Sequence, residues 1–312
     1  VAGLPSIESA GAPEKSLRAG LLGWSSRRRA GSTAALAWTA FRRSPLALAG
    51  FVIVAGFVVI AILAPFLATQ NPLAQDLSSR LSAPSARHPL GLDSLGRDVL
   101  SRLVYGTRIS VVSGISVVAA AILFGTTAGT AAGWRGGWWD ETLMRLTDMF
   151  LAFPSLVLAM AISAILGPSL KNALIAIAVT SWPSYARLAR AQTLAIRPRN
   201  YIEAAKAQGA RELSIVVRHL IPNAIAPLFV QATLDIGGII LTAAGLAFIG
   251  FGAQPPTPEW GLMVSEGRSF LMDQWWIATF PAVAILLLVL GFNLLGDGVR
   301  DVLDPRLRKA GS

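Results

Sequence analysis

Few residues of this chain can do acid–base, nucleophilic or metal chemistry, and their spacing excludes most of it. There is no cysteine among the 312 residues, which removes disulfides, thiolate nucleophiles and thiolate metal sites. The two histidines, His88 and His219, have no Asp or Glu at metal-ligand spacing. They read as loop or interface residues, and no metal site is expected. A P-loop requires G-x-x-x-x-G-K-[ST], whose backbone N–H groups and lysine cradle phosphates. Lys15, Lys171, Lys206 and Lys309 all lack that context, so the chain is not expected to hydrolyse ATP itself. Neither HExxH nor paired acids within an apolar run occur, and no catalytic residue is assigned. What remains is one acid, Asp235, in the middle of a long apolar stretch, and the quartet Asp93, Arg97, Asp98 and Arg102. The quartet's spacing of about three to four residues suits structural ion pairs along a helix, with contact to a docked partner as a secondary role.

The elements that must position these groups follow from composition. With 54% hydrophobic and 14% charged residues and a mean hydropathy of +0.58, the chain lies far below the roughly 25% charge of a soluble domain. It reads as an all-α, polytopic membrane protein. A bilayer core about 30 Å thick needs about 20 apolar residues per helix. Uncharged runs of that order lie between Arg43 and Asp76 (Leu46 to Leu67), between Arg108 and Arg135, between Asp148 and Lys171, and between Asp273 and Asp297. The last is entered past Trp275 and Trp276, a pair suited to an interfacial belt. Lys171 to Arg187 leaves 15 uncharged positions including Pro183 and spans if its charged ends snorkel. From His219 to Pro258 the pattern gives one helix to about Phe248 and then a Gly/Pro-rich loop.

Charge sets the topology. The net charge of +10 would suggest nucleic acid in a soluble protein, but its distribution says otherwise. Seven basic residues precede the first span (Lys15, Arg18, Arg27, Arg28, Arg29, Arg42, Arg43), and seven lie between the fourth and fifth (Arg187, Arg190, Arg197, Arg199, Lys206, Arg211, Arg218). Both groups face the cytoplasm if four spans separate them, giving six transmembrane helices with cytoplasmic N and C termini. Residues 68–108, with five basic and three acidic residues, are the exception. The organisation is then 1–45, a cytoplasmic tail whose Arg27 to Arg29 run is solvated or meets anionic lipid; 46–68, the first span, read as uncleaved because of the long segment before it; 69–108, an external loop with an amphipathic helix; 109–301, the main transmembrane domain; and 302–312, a cytoplasmic tail. Membrane lipid is the expected surroundings and nucleic acid is not an expected partner.

The segment Tyr201 to Pro222 is the most informative. Tyr201-Ile202-Glu203-Ala204-Ala205-Lys206-Ala207-Gln208-Gly209 reads as a short helix of small side chains that breaks at Gly209, where glycine takes the left-handed geometry of a helix C-cap. A second helix follows towards Pro222. Glu203 sits in the first turn, complementing the helix dipole. Such a helix lets a partner approach its backbone closely.

Glu-Ala-Ala, three residues, Gly209, and a hydrophobic stretch closing in Pro222 resemble the EAA loop of binding-protein-dependent ABC importer permeases, with His219 where that family usually has isoleucine. Leu90-Gly91-Leu92-Asp93-Ser94-Leu95-Gly96-Arg97-Asp98, Gly250 to Gly261 and Gly296 to Arg306 are similar to segments of the second permease subunit of the dipeptide, oligopeptide and nickel branch, and several phrases look closest to permeases for D-alanyl-D-alanine dipeptides. The resemblance implies a type I ABC importer permease fold in a bacterial inner membrane, with 109–301 as its transmembrane domain and 201–222 as its coupling loop. It implies that Glu203, Ala204, Ala205, Gly209 and Pro222 dock on an ATPase. The implied partners are a homologous permease in a heterodimer, two ABC ATPase subunits and an external solute-binding protein. The chain would bind no cofactor, ATP and Mg being used by the ATPases, and would pass short peptides inward by alternating access. Nickel chelate, haem, opine or another small solute are the alternative cargoes, and a stand-alone gradient-driven carrier or a membrane scaffold the alternative classes.

Two further features bear on transport. Gly125, Gly129 and Gly133 recur every four residues and put a smooth stripe on one helix face, as in GxxxG packing, within the bundle or against the sister permease. Asp235 is costly in mid-span unless it faces water or a partner. We expect it to line the translocation path, the alternative being a structural hydrogen bond.

Overall fold

A computed structural model describes residues 41–42 and 44–303. The basic tail with Arg27 to Arg29, and the Asp304-Pro305-Arg306 ending, lie outside the described residues. Among the described residues the secondary structure is helical, apart from one isolated bridge between Leu92 and Asp98.

Helix α1 is Pro45–Leu67, started by Ser44, whose hydroxyl accepts from the Ala47 N–H, with Pro45 at the first position, where its missing N–H costs nothing. Helix α2 is Val99–Arg135, 37 residues or about 55 Å long at 1.5 Å per residue. It starts ten residues before the expected span, and Asp98 caps it by accepting from the Ser101 N–H at 2.8 Å. Gly136, at φ +68°, follows its end, and α3 (Gly137–Leu151) and α4 (Ser155–Leu166) come next, bent by 91° at the break between them. Helix α5 is Leu170–Ile196, capped by Ser169. Then come α6 (Asn200–Ala207), α7 (Glu212–Ile215), a π turn at Val216–Leu220 and α8 (Ile221–Ile249). Helix α9 is Trp260–Gly267 and α10 is Trp276–Leu303.

The fold refines three expectations. The third run is not one straight span: α4 has 12 residues, about 18 Å, because Pro154 cannot continue the amphipathic α3. Within residues 69–108, positions 69–98 are a turn-rich loop with one 3-10 turn, Leu77–Ser79, since Pro72, Pro84, Pro89, Gly91 and Gly96 interrupt every longer run, and the helical part is residues 99–108, the first turns of α2. Asp93 and Arg97 accordingly pair across a tight loop, not along a helix. As for the number of spans, α1, α2, the run Glu212–Ile249 and α10 are long and apolar enough to cross a bilayer, and α3 with α4 adds a fifth if taken as one broken span. Helix α5 has the length, at 27 residues, but Lys171, Arg187 and Arg190 shorten its apolar part.

Chain direction follows from the closest approaches. A Cβ on Gly50 would meet Leu294 and Leu295, and one on Gly298 would meet Ala47, so α1 and α10 run antiparallel. Gly237 and Gly296 place α8 antiparallel to α10 in the same way. Helices α2 and α5 are parallel: Gly125 faces Trp182 and Tyr185, Gly129 faces Ala186, and Gly133 faces Thr193. One buried cluster joins the second half of α2, α5, α6 and α8 through Val118, Ile177, Tyr185, Ile202 and Leu228. The other joins α1, α2, α9 and α10 through Val111, Trp260, Ile285 and Leu288. Large apolar side chains also lie on the outside, Phe66 and Ile165 each 85% exposed, which suits hydrocarbon and not water.

Candidate functional site

Helix α6 is anchored on one side only. Ile202 is fully buried, and Ile215 and Leu220 from the following turns join it in the same cluster with Trp134 at the end of α2. Glu203, Ala204, Lys206, Ala207 and Gly209 are exposed, and Ala205 is half-buried against the cluster. The helix closes with the Gly209 N–H donating to the Lys206 carbonyl at 2.9 Å and the Ala210 N–H to the Ala205 carbonyl at 3.1 Å, the pair of bonds of a Schellman cap. That cap needs the left-handed φ of +75° found at Gly209, around which there is open space. Trp134 holds the loop from above: its indole N–H donates to Glu212 at 3.4 Å, and the Lys206 ammonium lies 4.8 Å from its ring centroid, a cation–π distance. His219 stacks obliquely on Tyr201, and Pro222 opens α8 on an exposed face. The result is a strip of small side chains presented outward on a fixed base.

This base connects to the bundle through α3 and α5. Arg190 makes a two-pronged contact with Asp140 at 2.5 and 2.7 Å, and Arg187 reaches Asp148 at 2.5 Å, tying the amphipathic helix to the helix that leads into the loop. The glycine stripe lies at the α2–α5 seam, within this chain. A Cβ at Gly129 would stand 2.0 Å from the Ala186 carbonyl oxygen, one at Gly125 2.5 Å from that of Trp182, and one at Gly133 2.9 Å from the Thr193 Cβ. The two helices therefore touch backbone to backbone.

Asp235 lines a cavity of about 380 Å³ between α4, α5 and α8. Its polar lining is Ser155 from α4, Thr180, Ser181 and Ser184 from α5, and Thr242 from α8. The carboxylate accepts from Gln231, one turn back on its own helix, at 2.9 Å. The buried Tyr185 hydroxyl faces it from α5. The serines and threonines were not singled out in the sequence, where each is one ordinary hydroxyl in an apolar run.

At the opposite end of the bundle the charged quartet is buried. Arg97 and Arg102, each 1% exposed, share Asp93 at 2.6 and 2.5 Å and Glu266 of α9 at 2.8 Å each. Glu266 is the member that sequence reasoning missed. Two of the five basic residues that made residues 68–108 exceptional are thus neutralised internally and present no positive charge to solvent. Asp98 also holds His88 at 3.0 Å. In the same loop Asp76, hydrogen-bonded by the side chain and backbone of Ser78, is held below the usual carboxylate range. Among the described residues no three His, Asp or Glu side chains come together as metal ligands.

Residues 97–309 match the family described as "Binding-protein-dependent transport system inner membrane component", and residues 32–84 match the "N-terminal TM domain of oligopeptide transport permease C". A dipeptide transport system permease protein of Alkalihalophilus pseudofirmus is 47% identical over 272 residues, covering 87% of this chain and 90% of the relative. A probable D,D-dipeptide transport system permease protein of Escherichia coli is 48% identical over 273 residues, covering 88% and 91%. A glutathione transport system permease protein of Pectobacterium atrosepticum is 44% identical over 272 residues, covering 87% and 90%.

Proposed function

The chain belongs to the binding-protein-dependent transport system inner membrane components, and from that membership we propose that it is the permease subunit of an ATP-driven importer of short peptides in a bacterial inner membrane. It acts as a transport subunit and not as an enzyme. Its partners in this reading are a homologous permease, two ATPase subunits that use ATP and Mg, and an external solute-binding protein. The two dipeptide permeases among the relatives support a dipeptide as cargo, and the second supports a D-alanyl-D-alanine type of substrate.

The observation that carries the mechanism is the one-sided anchoring of α6. Glu203, Ala204 and Gly209 form the exposed docking strip, Ala205 lies at its inner edge, half-buried against the base, and Pro222, in the first turn of α8, begins the helix that takes the motion onward. When the ATPases close, a pull on α6 passes through Ile202 and Ile215 into the cluster that also holds α2, α5 and α8. The Arg190–Asp140 contact brings α3 along. A partner moves the bundle between outward and inward states only by binding one of them better, so a stiff base under α6 is what lets docking energy reach the spans.

Ala204 points outward while Ala205 packs inward, which separates docking from folding. Ala204→Trp is expected to insert into the membrane normally and to lose copurification of the ATPases. Copurification at the wild-type level would contradict the docking role.

A further inference from the structure

The cavity at Asp235 has a chemical bias that goes beyond its place on a path. We propose that Asp235 holds the cationic amino terminus of the peptide in transit, a role that rests on the peptide reading above.

Three of the lining hydroxyls have already spent their hydrogen. Thr180 and Ser181 donate to the Ile177 carbonyl at 3.0 and 2.7 Å, and Thr242 donates to the Gly238 carbonyl at 2.8 Å. A hydroxyl has one donor and two lone pairs, so these oxygens offer only acceptors to the cavity. With the carboxylate they make a surface suited to an N–H-rich cation and unsuited to a second carboxylate.

No Lys, Arg or His is among the lining residues, and among the described residues no basic side chain pairs with Asp235. An acid placed as an ionic brace for the bundle would take a cationic partner from a neighbouring helix. Asp235 takes its hydrogen bond from Gln231 on its own helix. The one neighbouring-helix group turned towards it is the fully buried Tyr185 hydroxyl, a neutral phenol that brings no opposite charge to the carboxylate. An acid at this depth is expensive unless it meets a cation or water. The volume, about 380 Å³, lies at the small end of the roughly 300–1,000 Å³ of ligand sites, which suits a small cargo.

The test uses the assembled importer in proteoliposomes, comparing ATP-dependent uptake of Ala-Ala by wild type, Asp235→Asn and Asp235→Glu. Binding of Ala-Ala and N-acetyl-Ala-Ala to the detergent-solubilised complex without its binding protein is followed by saturation-transfer NMR. Asp235→Asn is expected to lower uptake at least tenfold with the ATPases still copurifying, and Asp235→Glu to recover part of it. Wild type should bind Ala-Ala and not the acetylated form. Wild-type uptake by Asp235→Asn, equal binding of the acetylated peptide, or uptake that requires sodium would each overturn the proposal. If Asp235→Asn fails to assemble, the two peptides on the wild-type complex still decide. A wild-type importer that hydrolyses ATP but moves no dipeptide would refute the peptide reading itself, an outcome distinct from a wild type that carries Ala-Ala independently of Asp235.

Discussion

The two ends of the bundle use charge in opposite ways. At one, Arg97 and Arg102 are buried and share Asp93 and Glu266, stitching the loop before α2 to α9 across more than 160 residues of sequence. At the other, Glu203, Lys206 and Arg211 stand in solvent around Gly209, and the only large buried groups of the loop are apolar: Ile202, Ile215 and Leu220. A buried charge network fixes a geometry, because each member left alone is strongly penalised. An exposed strip over an apolar base keeps its polar groups and small side chains available for another surface. The first arrangement suits a frame and the second, in the proposed reading, a contact, and substitutions should separate them.

The largest effect is expected at the frame. Asp93→Ala leaves two buried guanidinium groups sharing one carboxylate and should cost about 3–5 kcal/mol, measured by mixed-micelle unfolding. A loss near zero would mean that the network is solvated. At the α2–α5 seam Gly129→Ala forces a methyl group into the Ala186 carbonyl and should cost about 1–3 kcal/mol, as overpacking does, in the same assay. At the contact end, Gly209→Val should cost about 1–2 kcal/mol through its left-handed backbone and weaken ATPase copurification. Gly209→Asn should retain most of it, since asparagine tolerates that conformation. If both behave alike, backbone geometry is not what docking reads. The smallest effect belongs to the exposed Arg145–Glu141 pair on α3, where Arg145→Ala should change stability by less than about 1 kcal/mol.

The same contrast explains what the sequence made legible. The loop around Gly209 was readable because its logic is local: small residues, then a glycine that must turn left-handed. The glycine stripe was readable as a period, although whether it faced this chain or a neighbour depended on α5, some 60 residues away. The frame was half readable. Asp93, Arg97 and Arg102 sit close together in sequence, but Glu266 joins them only in the fold, and the loop's prolines and glycines keep Asp93 and Arg97 off the helix that carries Arg102. The cavity was least readable, since its hydroxyls come from three helices, Ser155 on α4, Ser184 on α5 and Thr242 on α8 among them, and only Asp235 announced itself by its cost in an apolar run. The short α4 shows the limit of counting uncharged residues: Pro154 divides a run that hydropathy treats as continuous.

The central claim, that α6 is the surface given to the ATPase, has one direct measurement. The chain has no cysteine, so Ala204→Cys introduces a single thiol on the exposed side of α6, to be paired with single cysteines placed on the ATPase surface. In the assembled importer it should form an oxidative crosslink to the ATPase and be shielded from a water-soluble maleimide. Rapid maleimide labelling of that thiol in the intact complex, with no crosslink formed, would contradict the account.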